Sequence, residues 1–564
     1  MKMPKTDRLL PESAHDNGQR GTALILALFL ITVLTVLGTM VLNTSIVEIK
    51  MAQNQKISSQ VFYAAEAGLE RGLLMLIKDF ENDSGAASPW GNANYAGWAE
   101  TVTESSGTGS VTFDPDVRSL DMYLGSSDAN LKRLTLGGGQ TVNGLTFDMY
   151  VYKLGANEAY VMSRGSGNGG MAAVEYHLKV DDLSPYNNAI FTGSGIAGQF
   201  EGSVNVSGSV YSRGTLEVGA NVSFANNYTT GHHPLAPGDD LYDMLPAVTD
   251  LNTKLRVKGG DLNVASASAS IGFAGTNNSV AGVFVDGATN IDSVGTHYYE
   301  ELQSEVPDVP MPNILDGMRN EFGQSFINGC IASQGYAGNN AAIATSLYAD
   351  WVSGQGCWSA SSSVGMVINA SDFGNIIDGS TGSFSYDDGA GNGLFFDDAT
   401  DTLVLKGNVV IVGNLDIGEA NGNDDIRYEV YGDSSGGFSQ ADGGTLYVSG
   451  DLSIRGNFSP DPSKGYLKGA TGVDDINSLG IVTPGDITFS GKPGNYYAGF
   501  FYAEGQVNFN KQAALAGTVI GGLVNFAQVP DVYQVPKLKD YLPKAMPGGH
   551  NVMRLTQREW RRVY

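Results

Sequence analysis

Residues 21–47 read GTALILALFLITVLTVLGTMVLNTSIV and carry no charged side chain. The apolar core of this run, Ala23 to Leu42, has the roughly 20 residues that a helix rising about 1.5 Å per residue needs to cross a bilayer. Lys2, Lys5, Arg8 and Arg20 precede it, and a large acidic region follows. That asymmetry keeps the N-terminus cytoplasmic and exports the bulk of the chain. The run is longer than the roughly 7–15 apolar residues of a secretory signal, and no Ala-x-Ala site closes it. An uncleaved single-pass anchor is the plainest reading.

Helical periodicity continues past the apolar run. Apolar residues recur at Ile46, Ile49, Ile57, Val61, Ala65, Leu69, Leu73, Leu76 and Phe80, at three- to four-residue steps. No proline lies between Pro11 and Pro89. The spacing predicts one helix over residues 22–84, transmembrane over 22–42 and amphipathic over 43–80, stopped by Asn82-Asp83-Ser84-Gly85.

Gly21 followed by Thr22-Ala-Leu-Ile-Leu resembles a type IV prepilin cleavage site. Glu48-Ile-Lys-Met-Ala-Gln-Asn-Gln and the segment around Ala64, Ala65, Glu66, Ala67, Gly68 and Leu69 resemble the N-terminal region of PilX-type minor pilins. A rival explanation for those six residues is close packing of small side chains on a sheet. The resemblance implies a leader over residues 1–21, cleaved before Thr22 by a prepilin peptidase, and N-methylation of the new terminus. It also implies an inner-membrane anchor that later joins major and minor pilins through the helical core of an extracellular filament. Two features depart from the pattern. Pilins commonly carry Glu at the fifth mature position, and that position here is Leu26; the departure implies a tip or initiating subunit. The leader is long and contains Asp7, Glu12 and Asp16.

Glycine supplies 75 of the 564 residues, and charged residues make up only 16%. That glycine share is nearly twice the usual ~7% and suits turn-rich β architecture better than helical bundles. A net charge of −26 argues against a nucleic-acid partner. Cys330 and Cys357, the two cysteines, are expected to form a disulfide in an exported domain, two free thiols being the alternative.

Residues 85–185 read as a pilin-like sheet head: Ser110-Val-Thr-Phe, Leu145 to Lys153, Ala159 to Arg164 and Ala172 to Val180 alternate as strands. Gly165-Ser-Gly-Asn-Gly-Gly reads as the hairpin turn, and Ser163-Arg164-Gly165 is similar to a turn of PilX-type heads. From 186 onward short strands repeat behind glycine corners, as in Gly407-Asn-Val-Val-Ile-Val and Gly485-Asp-Ile-Thr-Phe. The expected fold is therefore an α+β pilin-like lollipop followed by a mainly-β domain. That domain is expected to be a parallel β-helix over 186–294 and 363–540, with a β-sandwich or jelly roll as the alternative. A helical insertion pinned by the cysteine pair is expected over 295–362, exposed on one face. The basic segment 541–564 is expected to cap the solenoid.

Asp387, Asp388, Asp397, Asp398 and Asp401 form the densest acidic cluster and are candidates for Ca²⁺, with solvated turns as the other reading. Glu419 to Asp425 is a second such loop. His232-His233 with Asp239-Asp240 offers no third spaced ligand for Zn²⁺. The chain has no H-E-x-x-H motif; no catalytic residue is assigned and no cofactor is required. The expected function is a non-enzymatic minor pilin that primes or caps a type IV pilus and displays its β-domain near the tip for adhesion to a surface or host ligand. A tip pseudopilin of type II secretion and a membrane-anchored β-helix enzyme acting on polysaccharide are the alternatives.

Overall fold

The computed structural model describes residues 17–563 apart from 83–98, 102–130, 136–139, 154–157, 198–199, 201–203, 246–247, 292–294, 359–363, 432–442, 461–476, 527–529, 537–541 and 549–552. Most of the predicted leader and the strand predicted at Ser110–Phe113 lie outside the described residues.

Helix α1 runs from Asn17 to Asn82 without a break. At 66 residues it is about 100 Å long. Its C-terminal third lies on an antiparallel sheet. That sheet holds β1 (Ala99–Thr101), β2 (Leu131–Thr135), β3 (Gln140–Val142), β4 (Leu145–Lys153), β5 (Glu158–Gly167), β6 (Gly170–Asp182) and a C-terminal strand, Met553–Val563. The spatial order is β1-β2-β4-β5-β6 and then the C-terminal strand, with β3 hairpinned onto β4. Phe147, Met149, Val161, Val174 and Leu178 point inward and meet Ala65, Leu69 and Leu73 of α1.

Two details of this head correct the sequence reading. The hairpin turn is only Asn168-Gly169, with φ of 52° and 80°, and β5 continues straight through Ser163-Arg164-Gly165. Two residues at positive φ match the twist of a tight hairpin, which is why Asn-Gly closes it. The C-terminal segment also behaves differently. Residues 553–563 do not cap the solenoid; they pair antiparallel with β6, Met553 opposite Asp182 and Val563 opposite Ala173. Everything between Asp182 and Met553 is thus inserted between two neighbouring strands of one sheet.

The insertion is a stack of coils whose strands pair parallel, apart from an antiparallel run of three, Phe384–Asp387, Gly393–Asp397 and Thr402–Lys406. Along one face, Val409, Leu446, Ile481, Phe501 and Val519 stack in register, neighbour on neighbour. Val507 and Val524 are also stacked neighbours, so a coil closes in as few as 17 residues. Longer coils carry their extra residues at corners. The column does not end at Val519. It continues onto Ile190, then Val210, Leu255 and Val283. The last coil in sequence therefore docks on the first. The chain enters the stack in its middle, winds to one end near Gln303, crosses to the other end at Gly365, and winds back to the seam.

A recurring corner calls for glycine. Gly413-Asn414, Gly450-Asp451, Gly485-Asp486 and Gly505-Gln506 occupy the same corner of successive coils. Asn414 accepts the Asp451 N–H at 2.9 Å, Asp451 accepts that of Asp486 at 3.0 Å, and Asp486 accepts that of Gln506 at 2.7 Å. A Cβ on Gly485 would sit 2.5 Å from Asp451 Oδ1, and one on Gly505 would sit 2.4 Å from Asp486 Oδ1. Glycine is needed there because the previous coil's carboxylate occupies the Cβ position.

The segment that crosses the stack, residues 304–364, is a strap and not an exposed insertion. It contains α3 (Ile314–Phe322), α4 (Gln324–Gln334) and α5 (Asn340–Val352), following a short α2 (Asp240–Met244) in the first half of the stack. The outward column beneath it is apolar but for one residue: Val410, Tyr447, Val482, Tyr502 and Ile520, then Phe191, Tyr211, the buried Arg256 and Phe284. Val306, Val309, Ile314, Leu315 and Met318 cover that column. Leaving these aromatic rings in water would forfeit roughly 1.5–3 kcal/mol each. Tyrosine hydroxyls then satisfy the strap's backbone. Tyr211 donates to Pro307 O at 2.9 Å and Tyr502 to Pro312 O at 2.5 Å, while Tyr348 of the strap itself donates outward to Ala545 O.

Candidate membrane and filament segment

Helix α1 changes environment abruptly. From Gly21 to Gln60 nearly every residue is exposed; from Val61 to Leu73 one face is buried. Among the described residues this is the one helix long and apolar enough to cross a membrane. Within the apolar run the hydroxyls are satisfied locally. Thr32 donates to Leu28 O at 2.7 Å, Thr35 to Ile31 O at 2.7 Å and Thr44 to Met40 O at 3.0 Å. In hydrocarbon an unsatisfied hydroxyl is costly, and back-bonding within the helix removes that cost. Gly21, Thr22 and Leu26 lie on this exposed helix, away from the head. A Cβ on Gly21 would meet nothing, so local packing does not call for a glycine there.

The segment Ala64–Leu69 sits at the junction. Ala64, Ala65, Gly68 and Leu69 are buried against the protein's own sheet, Glu66 is half-buried, and Ala67 is exposed. The reason for small residues is steric. A Cβ on Gly68 would lie 2.3 Å from Ser163 Oγ and 2.5 Å from Phe147. From the opposite side, a Cβ on Gly165 would lie 2.2 Å from Val61 O. Backbone rests on backbone, and Tyr176 Oη donates to Glu70 Oε1 at 2.7 Å one turn further on. These six residues were expected to belong to the filament-core helix. Four of them dock the helix on its head, which leaves residues 21–60 almost wholly exposed.

Cys330 of α4 and Cys357 beyond α5 form a disulfide with Cα atoms 5.6 Å apart. It ties α4 to the end of the strap beside Phe322, Phe326 and Trp358, whose rings pack edge to face at 5.6–5.7 Å. Closing a loop of this size contributes about 3–4 kcal/mol in the chain-entropy picture.

The five candidate Ca²⁺ carboxylates are not brought together. Asp387 and Asp388 sit at one end of the strand Gly393–Asp397 and its partner Phe384–Asp387; Asp397, Asp398 and Asp401 sit at the other. Asp388 is already used by its own turn, accepting from Ala390 N at 2.7 Å and Asn392 Nδ2 at 2.7 Å. Asp397 accepts from Thr400 Oγ1 at 2.9 Å. Burial, and then the charges of Asp398 and Asp425, push Asp401 above the usual carboxylate range. Among the described residues no three His, Cys, Asp or Glu side chains gather as a metal ion would require.

His232 and His233 diverge. His232 Nε2 meets Ser268 O at 3.1 Å. His233 Nδ1 pairs with Asp531 at 2.8 Å, across the seam. Asp531 also accepts the Asn205 N–H at 2.9 Å. Burial pushes Asp531 up to about 6, and His233 opposes that rise. Asp239 only closes its own turn, accepting from Ala236 N at 2.7 Å. Reading along the sequence paired these histidines with their neighbours; the partner that counts lies about 300 residues away.

The exposed apolar helix, its docking through small residues and the sheet beneath it can be set beside known proteins. Over residues 20–70 the chain matches the PilX N-terminal family. The PilX-like segment thus spans all of residues 21–60 and ends inside the head. Among solved structures, the competence-associated pilin ComZ from Thermus thermophilus is similar, with 18% identity, a TM-score of 0.46, and coverage of 90% of this chain and 98% of that one. No curated protein matches the chain.

Proposed function

We propose that this protein is a minor pilin or pilin-like subunit. It is anchored in the inner membrane by α1, processed between Gly21 and Thr22, and then assembled with other pilins. The observation that carries the reading is an overlap: the PilX-like match over residues 20–70 takes in all of residues 21–60, the stretch of α1 that stands almost wholly exposed outside the head. An apolar run about 40 Å long, residues 21–47, that stands exposed in its own chain calls for lipid first and other helices afterwards. The coil stack is the part displayed outside. Its bulk favours a place at or near the filament tip, because repeating it on every subunit would crowd a shaft. Leu26, where a pairing Glu would be expected, favours the same place. Adhesion through the displayed stack, together with priming of assembly, is the role this placement serves.

N-terminal sequencing of the protein from sheared filaments should begin at methylated Thr22, and immunogold label should cluster at filament ends. An intact Met1 in filaments would reduce the protein to a simple membrane anchor. Label along the whole shaft would remove the tip assignment.

A further inference from the structure

Two loops, 226–253 and 272–281, stand over the corner where the strands Val222–Ala225 and Ser270–Ile271 end. Between them lies a cleft of about 540 Å³, within the roughly 300–1,000 Å³ of small-molecule sites. In a chain of net charge −26, no residue lining this cleft is Asp, Glu, Lys, Arg or His. Tyr228, Leu245 and Val248 give it an apolar wall, and the half-buried ring of Tyr242 stands beside them.

The polar wall is fixed in advance. Asn227 Nδ2 donates to Asn278 Oδ1 at 2.9 Å and to Asn277 O at 3.2 Å, while its Oδ1 accepts from Thr229 N at 3.1 Å and Thr230 Oγ1 at 2.9 Å. Asn278 Nδ2 donates to Ala274 O at 2.9 Å. By contrast, the side chains of Tyr242, Thr249, Thr276 and Asn277 form no hydrogen bond among the described residues, and all four line the cleft. The site therefore offers neutral donors and acceptors next to an aromatic ring, on loops held by a rigid stack.

We propose that this cleft binds a neutral saccharide. A pyranose presents a C–H face that packs on a tyrosine ring and a rim of hydroxyls that pair with amides and threonine hydroxyls. A phosphate or carboxylate ligand would find no cation to pair with. An amine would find no anion. A purely apolar ligand would leave four polar side chains without partners as it displaced their water. A role for this binding in adhesion rests on the display reading above; the binding itself does not.

The test uses the full-length protein in a detergent free of sugar headgroups. Glucose, galactose, mannose, N-acetylglucosamine and their disaccharides are titrated by calorimetry and saturation-transfer NMR. N-acetylneuraminic and galacturonic acids serve as charged counterparts. One or more neutral sugars should bind, and Tyr242→Ala should weaken that binding about tenfold. Asn277→Gly, which suits the positive φ of 60° at that position, should weaken it severalfold at unchanged Tm. The proposal is overturned if no neutral sugar binds, if the acids bind as well as the neutral sugars, or if both variants bind like the parent. Sugar binding in vitro with no label on filaments would sink the display reading and leave the cleft standing.

Discussion

In the head, sequence neighbours pair antiparallel, two of the pairs through tight Asn-Gly turns, and a strand from the far end of the chain completes the edge. In the stack, neighbours pair parallel one coil later, and the final coil completes the stack by docking on the first. Both regions are therefore closed by a long-range contact: β6 with residues 553–563, and Val519 with Ile190. The difference lies in what each closure encloses. The head contact encloses the entire stack as an insertion, so the head needs nothing from the stack to complete its sheet. The stack needs its seam, because without it two half-stacks would each expose an unpaired parallel edge.

The largest effect should come from removing the stack. Joining Asp182 to Met553 through an Asn-Gly turn replaces the insertion with a tight hairpin. The remaining helix and seven-stranded sheet should fold in detergent, with dispersed NMR amide signals. A molten sheet would mean that the head depends on the stack. Next, Val519→Asp places a charge in a fully buried position of the seam. It should cost more than about 4 kcal/mol and open both half-stacks to protease, which Val409→Asp, in the interior of one half, should not do.

A third prediction concerns pH at the seam. Asp531 is held above its unfolded value of 3.8 by burial. A carboxyl whose folded pKa is raised favours the fold fully below about pH 4, and that contribution is lost as pH rises through about 6. Asp531→Asn should flatten the stability profile over this window and raise stability at pH 8 by up to about 3 kcal/mol. A parent profile flat between pH 4 and 7 would contradict the assignment. The smallest effects separate two kinds of glycine. Gly485→Ala at the stacked corner should cost about 1–2 kcal/mol, whereas Gly329→Ala, inside α4 with nothing within 4 Å, should stabilise by up to about 1 kcal/mol. Equal melting shifts from the two would show that the corner is not sterically set.

Local periodicity made much of this visible in the sequence. The alternation of Leu145–Lys153 matches β4, and the Gly-x-apolar-x-apolar pieces at Leu415–Ile417, Leu452–Ile454 and Ile487–Phe489 are strands of one face. What stayed hidden was pairing at a distance. Nothing local marks Ile190 and Val519 as neighbours. Pro307–Pro312 reads as a linker because prolines lack donors, yet the carbonyls of Pro307 and Pro312 accept the tyrosines that hold the strap. Residues 553–563 escaped because four arginines dilute the alternation and a register shift between Leu555 and Gln557 reverses its phase. Among the candidate site residues, Cys330 and Cys357 were legible as a pair, and Ala64–Leu69 were legible both as a motif and as small residues that pack on a sheet; that Gly68 meets Ser163 and Phe147 there was not.

The insertion also decides how the protein carries tension. The chain leaves the head after Asp182 and returns at Met553, and these two residues face each other across one ladder. Just beyond them Tyr186 Oη donates to Pro547 O at 2.6 Å, clasping the outgoing and incoming strands together. A pull on the coil stack therefore reaches the sheet through two strands at once, along their length. Hydrogen bonds loaded in that direction must break together, so a tether of this kind resists far more than one that unzips bond by bond. A single cut anywhere in the stack would leave both pieces still moored to the same helix.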